Sequence, residues 1–297
     1  MCPDAQPPSP FRCIAGFGPG LLGGSVAMAV RDRLPGAELR LWARREAPLA
    51  YAREHGITEH TYTDALDAAK GADLIILATP IGVFEDLAHR MLPGIDRECV
   101  VTDIGSVKAY VHRTTGEFLT SRHRLFIGSH PMAGTEHQGI ENAYAQLLDG
   151  ATVALTNPHG AAPEYVERLA QFWQMLGCST YRMDPVNHDR AVARISHVPH
   201  VLAGLCARNA TLGEVPMADL QRLAAGGFRD TTRVCSGPAA MWADILWEND
   251  VAVRAALGTC IEDLQRLRDL LEEQDREGVR QWLENAKQTR ETIRNKG

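Results

Sequence analysis

Apolar residues follow two rhythms along this chain. Up to about residue 184, short apolar runs alternate with longer segments whose apolar positions recur every three or four residues. Arg12–Phe17 is a short apolar run that closes on glycines. Leu21–Arg33 is small and aliphatic and stops at Leu34-Pro35-Gly36, the punctuation that ends a helix. Glu38–Ala43 reads as a second strand, Ala65–Ala69 as a helix, Asp73–Ala78 as a buried strand, and Glu98–Asp103 as a further strand with a helix from about Ser106. Leu125–Ser129, Ala151–Thr156 and Thr180–Asp184 complete the predicted strands. Strands alternating with helices predict an α/β fold, a parallel sheet covered by helices on both faces. Past Asp184 the strand signals stop. From Asn187 the chain reads as helices with loops at Gly226-Gly227 and Ser236-Gly237-Pro238, so the boundary between an α/β domain and an all-α domain is expected near Asp184-Pro185, giving domains 1–184 and 185–297. The final stretch, Leu246–Arg294, has neither proline nor a glycine pair. Its apolar positions Leu257, Ile261, Leu264, Leu267 and Leu271 predict a long helix that either packs on its own domain or forms a dimer seam.

Composition narrows the class. Of 297 residues, 45% are hydrophobic and 23% charged, the proportions of a globular protein. A net charge of −6 gives no reason to expect nucleic acid or an acidic membrane as partner, so an anionic substrate would need a locally basic pocket. No apolar run approaches the length of a membrane span. The opening MCPDAQPPSPFRC lacks the apolar core of a signal peptide and reads as a frayed tail. The seven cysteines are widely spaced and contain no C-x-x-C pair. Neither a disulfide framework nor a zinc site is expected, and a reducing cytoplasm fits. Cys13 and Cys99 lie in strand-like runs and read as inert buried thiols.

Gly18-Pro19-Gly20-Leu21-Leu22-Gly23 fits G-x-G-x-x-G. The pattern alone is weak, but here it follows a strand and opens a helix, the context of a Rossmann-type dinucleotide site. Gly18 allows the tight turn, Gly20 the approach of a pyrophosphate, and Gly23 close packing of helix on strand. The helix N-terminus then offers N–H groups, from Leu21 and Leu22 onward, to the phosphates. An NAD enzyme usually carries Asp or Glu at the end of the second strand. This chain has Trp42-Ala43-Arg44-Arg45, and the Arg44 and Arg45 guanidiniums suit a 2′-phosphate. The expected cofactor is NADP or NAD, with NADP favoured.

Polar side chains gather in loops after strands, where an open α/β sheet collects its ligands. These are Thr79-Pro80, Asp103 to Lys108, and His130 to Gln138. The helical half adds Ser196-His197-Val198-Pro199-His200, then Gly226 to Arg233, with Met241-Trp242 later. A histidine after an apolar strand and before Pro-Met-Ala-Gly-Thr has little packing logic and is placed to act as a base. His197 and His200 lack a third ligand at metal spacing, so no metal is expected; His197 reads as structural. Arg229 and Asp230 can pair with each other, and Asp103 can satisfy loop N–H groups.

Taken in order, GPGLLGGS, DIGSVK, HPMAGTE, SHVPH, GGFRDTTR and MW resemble the prephenate and arogenate dehydrogenase family of tyrosine biosynthesis, over roughly residues 12 to 250. The resemblance implies an NAD(P)-dependent oxidative decarboxylation. The C4 hydroxyl of a cyclohexadiene loses its proton, a hydride leaves C4 for the nicotinamide, and the ring carboxylate departs as carbon dioxide. It places His130 on the C4 hydroxyl as the proton acceptor, a role that needs a neutral imidazole. It gives Ser106 the task of orienting that histidine beside the cofactor, and Arg233 that of holding the substrate carboxylate. It puts His200 and Ser196 along the substrate site, Thr135 and Glu136 at the pocket mouth, and Trp242 in its wall. Thr79 and Pro80 would border the cofactor. A homodimer through the helical domain is also implied, and neither a mutase domain nor a C-terminal regulatory domain of the kinds some relatives carry is expected within these 297 residues. Prephenate is the expected substrate, with arogenate or a non-catalytic NAD(P) sensor as alternatives. Two other dehydrogenase classes fit less well. Lys70, Lys108, Lys287 and Lys296 are the only lysines, which leaves none in the helical region before Lys287 for a lysine-assisted β-hydroxyacid mechanism, and no Tyr-x-x-x-Lys pair occurs.

Overall fold

The computed structural model describes residues 8–135 and 137–294; the first part of the predicted tail and Glu136 lie outside the described residues. The order is β1 Cys13–Phe17, α1 Leu21–Arg33, β2 Glu38–Trp42, α2 Glu46–Glu54, β3 His60–Tyr62, α3 Ala65–Ala69, β4 Leu74–Leu77, α4 Phe84–Met91, β5 Val100–Asp103, α5 Ala109–Val111, α6 Glu117–Thr120 and β6 Leu125–Phe126. There follow β7 Gly128–Pro131, β8 Thr152–Thr156, α7 Pro163–Met175, β9 Ser179–Arg182, α8 Pro185–Val192, α9 Val198–Asn209, α10 Met217–Leu223, α11 Gly226–Thr232, α12 Ala239–Glu248, α13 Asp250–Glu272 and α14 Arg276–Arg294.

Strands β3-β2-β1-β4-β5-β6 form one parallel sheet. Its strands are apolar at successive positions because both faces are covered, as a parallel sheet with crossover helices requires. Ile14, Leu41, Leu74 and Ile76 face one core with Phe172 and Trp173 of α7. Ala15, Phe17, Ile75 and Leu77 face the other with Phe84, Leu87 and Met91 of α4. The strand order reverses between β1 and β4, and that switch point opens the crevice in which such sheets bind ligands.

Leu125–Ser129 reads as one strand but forms parts of two. Leu125 and Phe126 pair with β5, whereas Gly128 onward pairs with β8 in a second sheet, β7-β8-β9. The Asp103 carboxylate accepts the Ser129 N–H at 3.2 Å, which ends the ladder along β5 and turns the chain away. Gly128 is required there, since a Cβ would run into Thr156 Oγ1. Trp173 Nε1 donates to Ser129 Oγ at 3.1 Å, and that hydroxyl lies 2.8 Å from Thr102 Oγ1, so a buried polar seam ties the two sheets.

The helix expected from Ser106 starts at Ala109 instead and passes through a π turn at His112–Gly116. Residues 103–108 are held in a loop by Asp103, as described below. Past Arg182 the described chain is helical. It forms two compact units, one ending at Asn249 and one beginning at Asp250. The predicted long terminal helix falls on three: its first residues close α12, which is capped at Asn249, and a second break follows α13, where Gln274 takes a left-handed φ of 57° and Asp275 accepts the Gly278 N–H at 2.9 Å to start α14. Within that second unit Trp282 Nε1 donates to Asp263 at 3.0 Å. Among the described residues no helix is long and apolar enough to cross a membrane.

Candidate active site

The glycine loop sits at the switch point. Gly18 donates to the Trp42 carbonyl at 2.9 Å and Gly20 to the Gly18 carbonyl at 2.8 Å. Gly18 has φ +103°, and a Cβ on Gly23 would strike the Gly18 carbonyl oxygen, so neither position admits another residue without strain. A Cβ on Gly20 would meet nothing within 4 Å; the space above it opens into the crevice. Leu21 and Leu22 form the first turn of α1 and offer its unpaired N–H groups, while the Leu22 side chain packs on the core. A cleft of about 790 Å³ runs from this loop past Trp42 to Arg45, Tyr51 and Thr79-Pro80 to Gln138 through Glu141. Arg44 and Arg45 are exposed at its rim and Ala43 is buried, so no acidic side chain stands at the end of β2. A backbone cradle for phosphates, an apolar wall and two guanidiniums form a donor set that fits a dinucleotide.

The ends of β5 and β7, with α8, build the polar centre. His130 lies on β7, 8% exposed, with Nδ1 2.8 Å from His188 Nε2. His188 Nδ1 in turn lies 2.7 Å from Asp189 Oδ1. The Asp189 carboxylate accepts the N–H groups of Lys108 and Ala109, both at 2.8 Å, which caps α5 and joins it to α8. Below, Lys108 Nζ contacts the Asp103 carboxylate and donates to the Ser129 carbonyl at 2.9 Å, and Asp103 also accepts the Gly105 N–H at 2.9 Å. Both ends of this ion pair are fully buried. Burial pushes Asp103 upward and Lys108 downward, and their mutual contact opposes both shifts.

On the helical side Asn249 Nδ2 donates to the Asp189 carbonyl at 2.9 Å and lies 3.1 Å from His197 Nδ1. His200 stacks on Trp242 with ring centroids 3.6 Å apart. Burial pushes His197 down to about 4, opposed by Asp189 and aided by His188 and His200. Burial likewise lowers His200. His130 falls well below the ordinary histidine value, first by burial, then by His188, Lys108 and His197. Its Nε2 makes no hydrogen bond among the described residues, so the site holds a neutral, desolvated imidazole with one ring nitrogen left for a ligand.

The structure thus brings His130, His197, His200 and Trp242 into one polar centre. Ser106 and Ser196 are half-buried, and neither hydrogen-bonds His130; that role falls to His188. Arg233 is exposed at the start of a turn, Arg233–Ser236, and Thr135 is exposed with its hydroxyl accepting the His137 N–H at 3.2 Å. Lys108 closes a loop that the sequence marks as polar, whereas His188, Asp189 and Asn249 stand in none of its motifs. One signal was present: His188 and Asp189 share the buried face of α8 with Pro185 and Val192, where an apolar stripe belongs.

Two family models match the chain. One is described as prephenate dehydrogenase, nucleotide-binding domain, over residues 26–182, and the other as prephenate dehydrogenase, dimerization domain, over residues 184–285. Prephenate dehydrogenase of Bacillus subtilis is 32% identical over 94% of this chain and 76% of its own length. Cyclohexadienyl dehydrogenase of Zymomonas mobilis is 30% identical over 94% of this chain and 95% of its own. The crystal structure of prephenate dehydrogenase from A. aeolicus, in complex with hydroxyphenyl propionate and NAD+, superposes with a TM-score of 0.87 at 27% identity, over 95% of this chain and 98% of that one.

Proposed function

Since this chain belongs to the prephenate dehydrogenase family, an NAD(P)-dependent group of oxidoreductases, we propose that it oxidatively decarboxylates prephenate to 4-hydroxyphenylpyruvate in tyrosine biosynthesis. The observation that carries this reading is His130, a buried, neutral imidazole with a ring nitrogen unengaged, in a chain whose glycine loop borders a cleft fit for a dinucleotide. The nicotinamide, when bound, accepts the hydride from C4. His130 takes the C4 hydroxyl proton as the carbonyl forms, and returns it to the phenolic oxygen once C1 has lost carbon dioxide and the ring has become aromatic. Burial strengthens this proton transfer by excluding water from the base.

Arg233 is assigned the substrate carboxylate, since a guanidinium fork matches two carboxylate oxygens. His200, stacked on Trp242, and Ser196 are assigned to the same site, and Thr135 to its mouth; Glu136, the other residue expected there, lies outside the described residues. Ser106, in the loop that ends on Lys108, is assigned a role between cofactor and base. Gly18, Gly20, Gly23 and the first turn of α1 hold the pyrophosphate, with Thr79-Pro80 against the nicotinamide half. Arg44 and Arg45 favour NADP through its 2′-phosphate.

Residues 1–184 form the dinucleotide-binding domain in this reading, and 185–297 the substrate-binding and dimerisation domain. Ile261, Leu264 and Leu271 of α13 and Leu283 and Ile293 of α14 are 49–65% exposed, which supports pairing with a second copy through these helices. Light scattering on the purified chain gives twice the 32.5 kDa chain mass if so. Initial rates at 340 nm, crossing prephenate and arogenate with NAD and NADP, test the function. Turnover with prephenate, faster with NADP, supports it. Turnover of arogenate alone moves the substrate assignment. Silence in all four, with the dinucleotide still bound, makes the chain a sensor.

A further inference from the structure

A general base needs a lone pair on the nitrogen that faces its substrate, and a neutral imidazole has only one. Which nitrogen of His130 carries it depends on what lies behind the ring. Behind it is a buried chain of three side chains. His130 Nδ1 lies 2.8 Å from His188 Nε2, and His188 Nδ1 lies 2.7 Å from Asp189 Oδ1. His188 is 1% exposed and Asp189 4%. Asp189 is itself pinned, because its two oxygens accept the N–H groups of Lys108 and Ala109 at the start of α5. A carboxylate can only accept, so the nitrogen of His188 that faces it bears the proton. His188 Nε2 then holds the lone pair, and the hydrogen across the 2.8 Å contact belongs to His130 Nδ1. The remaining nitrogen of His130, Nε2, is left as the acceptor.

We propose that His188 and Asp189 are positioning residues that fix the catalytic tautomer of His130 and, when it takes a proton, share the positive charge with it. This rests on the reading of His130 as the base of the dehydrogenase reaction. The reverse arrangement, with His188 doubly protonated and donating to His130, would put a second cation near the Lys108 ammonium in a site closed to water, where an added charge is costly. The groups that face His130 are His188 and Asp189 of α8, Lys108 at the start of α5 with its partner Asp103, and His197. Of these only His188 is within hydrogen-bonding distance of its ring. The arrangement also couples the two halves of the site: the base lies on β7 of the second sheet, whereas the groups that set its tautomer lie on the first helix after the strands end.

The test reads the protons directly. Long-range ¹H–¹⁵N correlation spectra of the full-length ¹⁵N-labelled protein distinguish protonated from unprotonated imidazole nitrogens, and comparison with His130→Asn assigns the His130 signals. The expected pattern is a protonated Nδ1 and an unprotonated Nε2. Asp189→Asn offers an amide N–H to His188, reverses both rings, and leaves a protonated Nε2 on His130. Its kcat should fall by about 10²–10⁴-fold with KM changed less than about threefold. His188→Gln, whose amide can still accept at the Nε2 position, should retain at least about tenfold more kcat than His188→Leu. A protonated Nε2 on His130 in the unaltered protein overturns the proposal, and that measurement needs no variant to fold. So does an Asp189→Asn protein with unchanged tautomers and unchanged kcat. If the unaltered protein turns over neither substrate while its His130 tautomer is as stated, the tautomer assignment stands and the functional reading falls.

Discussion

Replacing His130 with asparagine isolates the base. An asparagine amide occupies roughly the place of the imidazole Nδ1, so the 2.8 Å contact to His188 can be kept while the second ring nitrogen is lost. What disappears is the acceptor for the hydroxyl proton. Loss of a positioned general base typically costs about 10²–10⁴ in rate, or about 2.7–5.4 kcal/mol at 1.36 kcal/mol per tenfold. The cleft assigned to the dinucleotide is bounded by the glycine loop, Trp42 to Arg45, Thr79-Pro80 and Gln138 to Glu141, and His130 is not part of that lining. Cofactor affinity, followed by NAD(P)H fluorescence, should therefore change by less than about threefold while saturated kcat at 340 nm falls at least about a hundredfold. A kcat within about tenfold of the parent, with the fold intact by circular dichroism, would refute the assignment of His130 as base.

Three further outcomes follow from the same geometry. Arg44→Ala with Arg45→Ala should weaken NADP by about 10–30-fold and NAD hardly at all, because exposed charge-assisted contacts give about 1 kcal/mol each; equal losses for both cofactors would remove the 2′-phosphate reading. The neutral form of His130 is the active one, and burial with His188, Lys108 and His197 nearby holds its protonation well below 6.5, so kcat/KM should be flat from pH 6.5 to 8 and fall only at lower pH. A rate still climbing between pH 7 and 8 contradicts that ordering. Lys108→Met strands the fully buried Asp103 carboxylate, which predicts a loss of about 3–5 kcal/mol in urea unfolding, largely restored by adding Asp103→Asn; a loss below about 1 kcal/mol would mean the pair contributes little.

Local patterns made much of the fold legible. α1 runs from Leu21 to Arg33, as the aliphatic stretch and its Pro35-Gly36 stop predict, and the glycine loop has the conformation its spacing requires. The misread elements depend on distant partners. Leu125–Ser129 has one continuous apolar pattern, yet Asp103 captures the Ser129 N–H and sends the chain to another sheet. The long terminal helix breaks at Asn249 and at Gln274 without proline or glycine, so no breaker residue announces either turn. The helix after Ser106 starts late because Asp189, some eighty residues on, supplies its cap.

The site divides in the same way. His130, His200 and Trp242 stand in short motifs whose chemistry is local, and the structure gathers them. His188 lies 58 residues from the base it contacts, and nothing in its own neighbourhood marks it except a polar pair on the inward face of α8. Ser106 had been assigned that orienting contact from a resemblance, whereas the hydrogen bond to His130 comes from His188.

The central claim is that His130 and the cleft assigned to the dinucleotide carry out oxidation and decarboxylation of one substrate. The most direct measurement is the stoichiometry of a single reaction on the purified full-length protein. Prephenate labelled in its ring carboxylate is incubated with NADP or NAD; reduced cofactor is read at 340 nm, labelled carbon dioxide is trapped, and 4-hydroxyphenylpyruvate is quantified by chromatography. The account predicts equal amounts of all three, and loss of all three together in His130→Asn. Reduced cofactor without carbon dioxide, or product formation that survives His130→Asn undiminished, would contradict it.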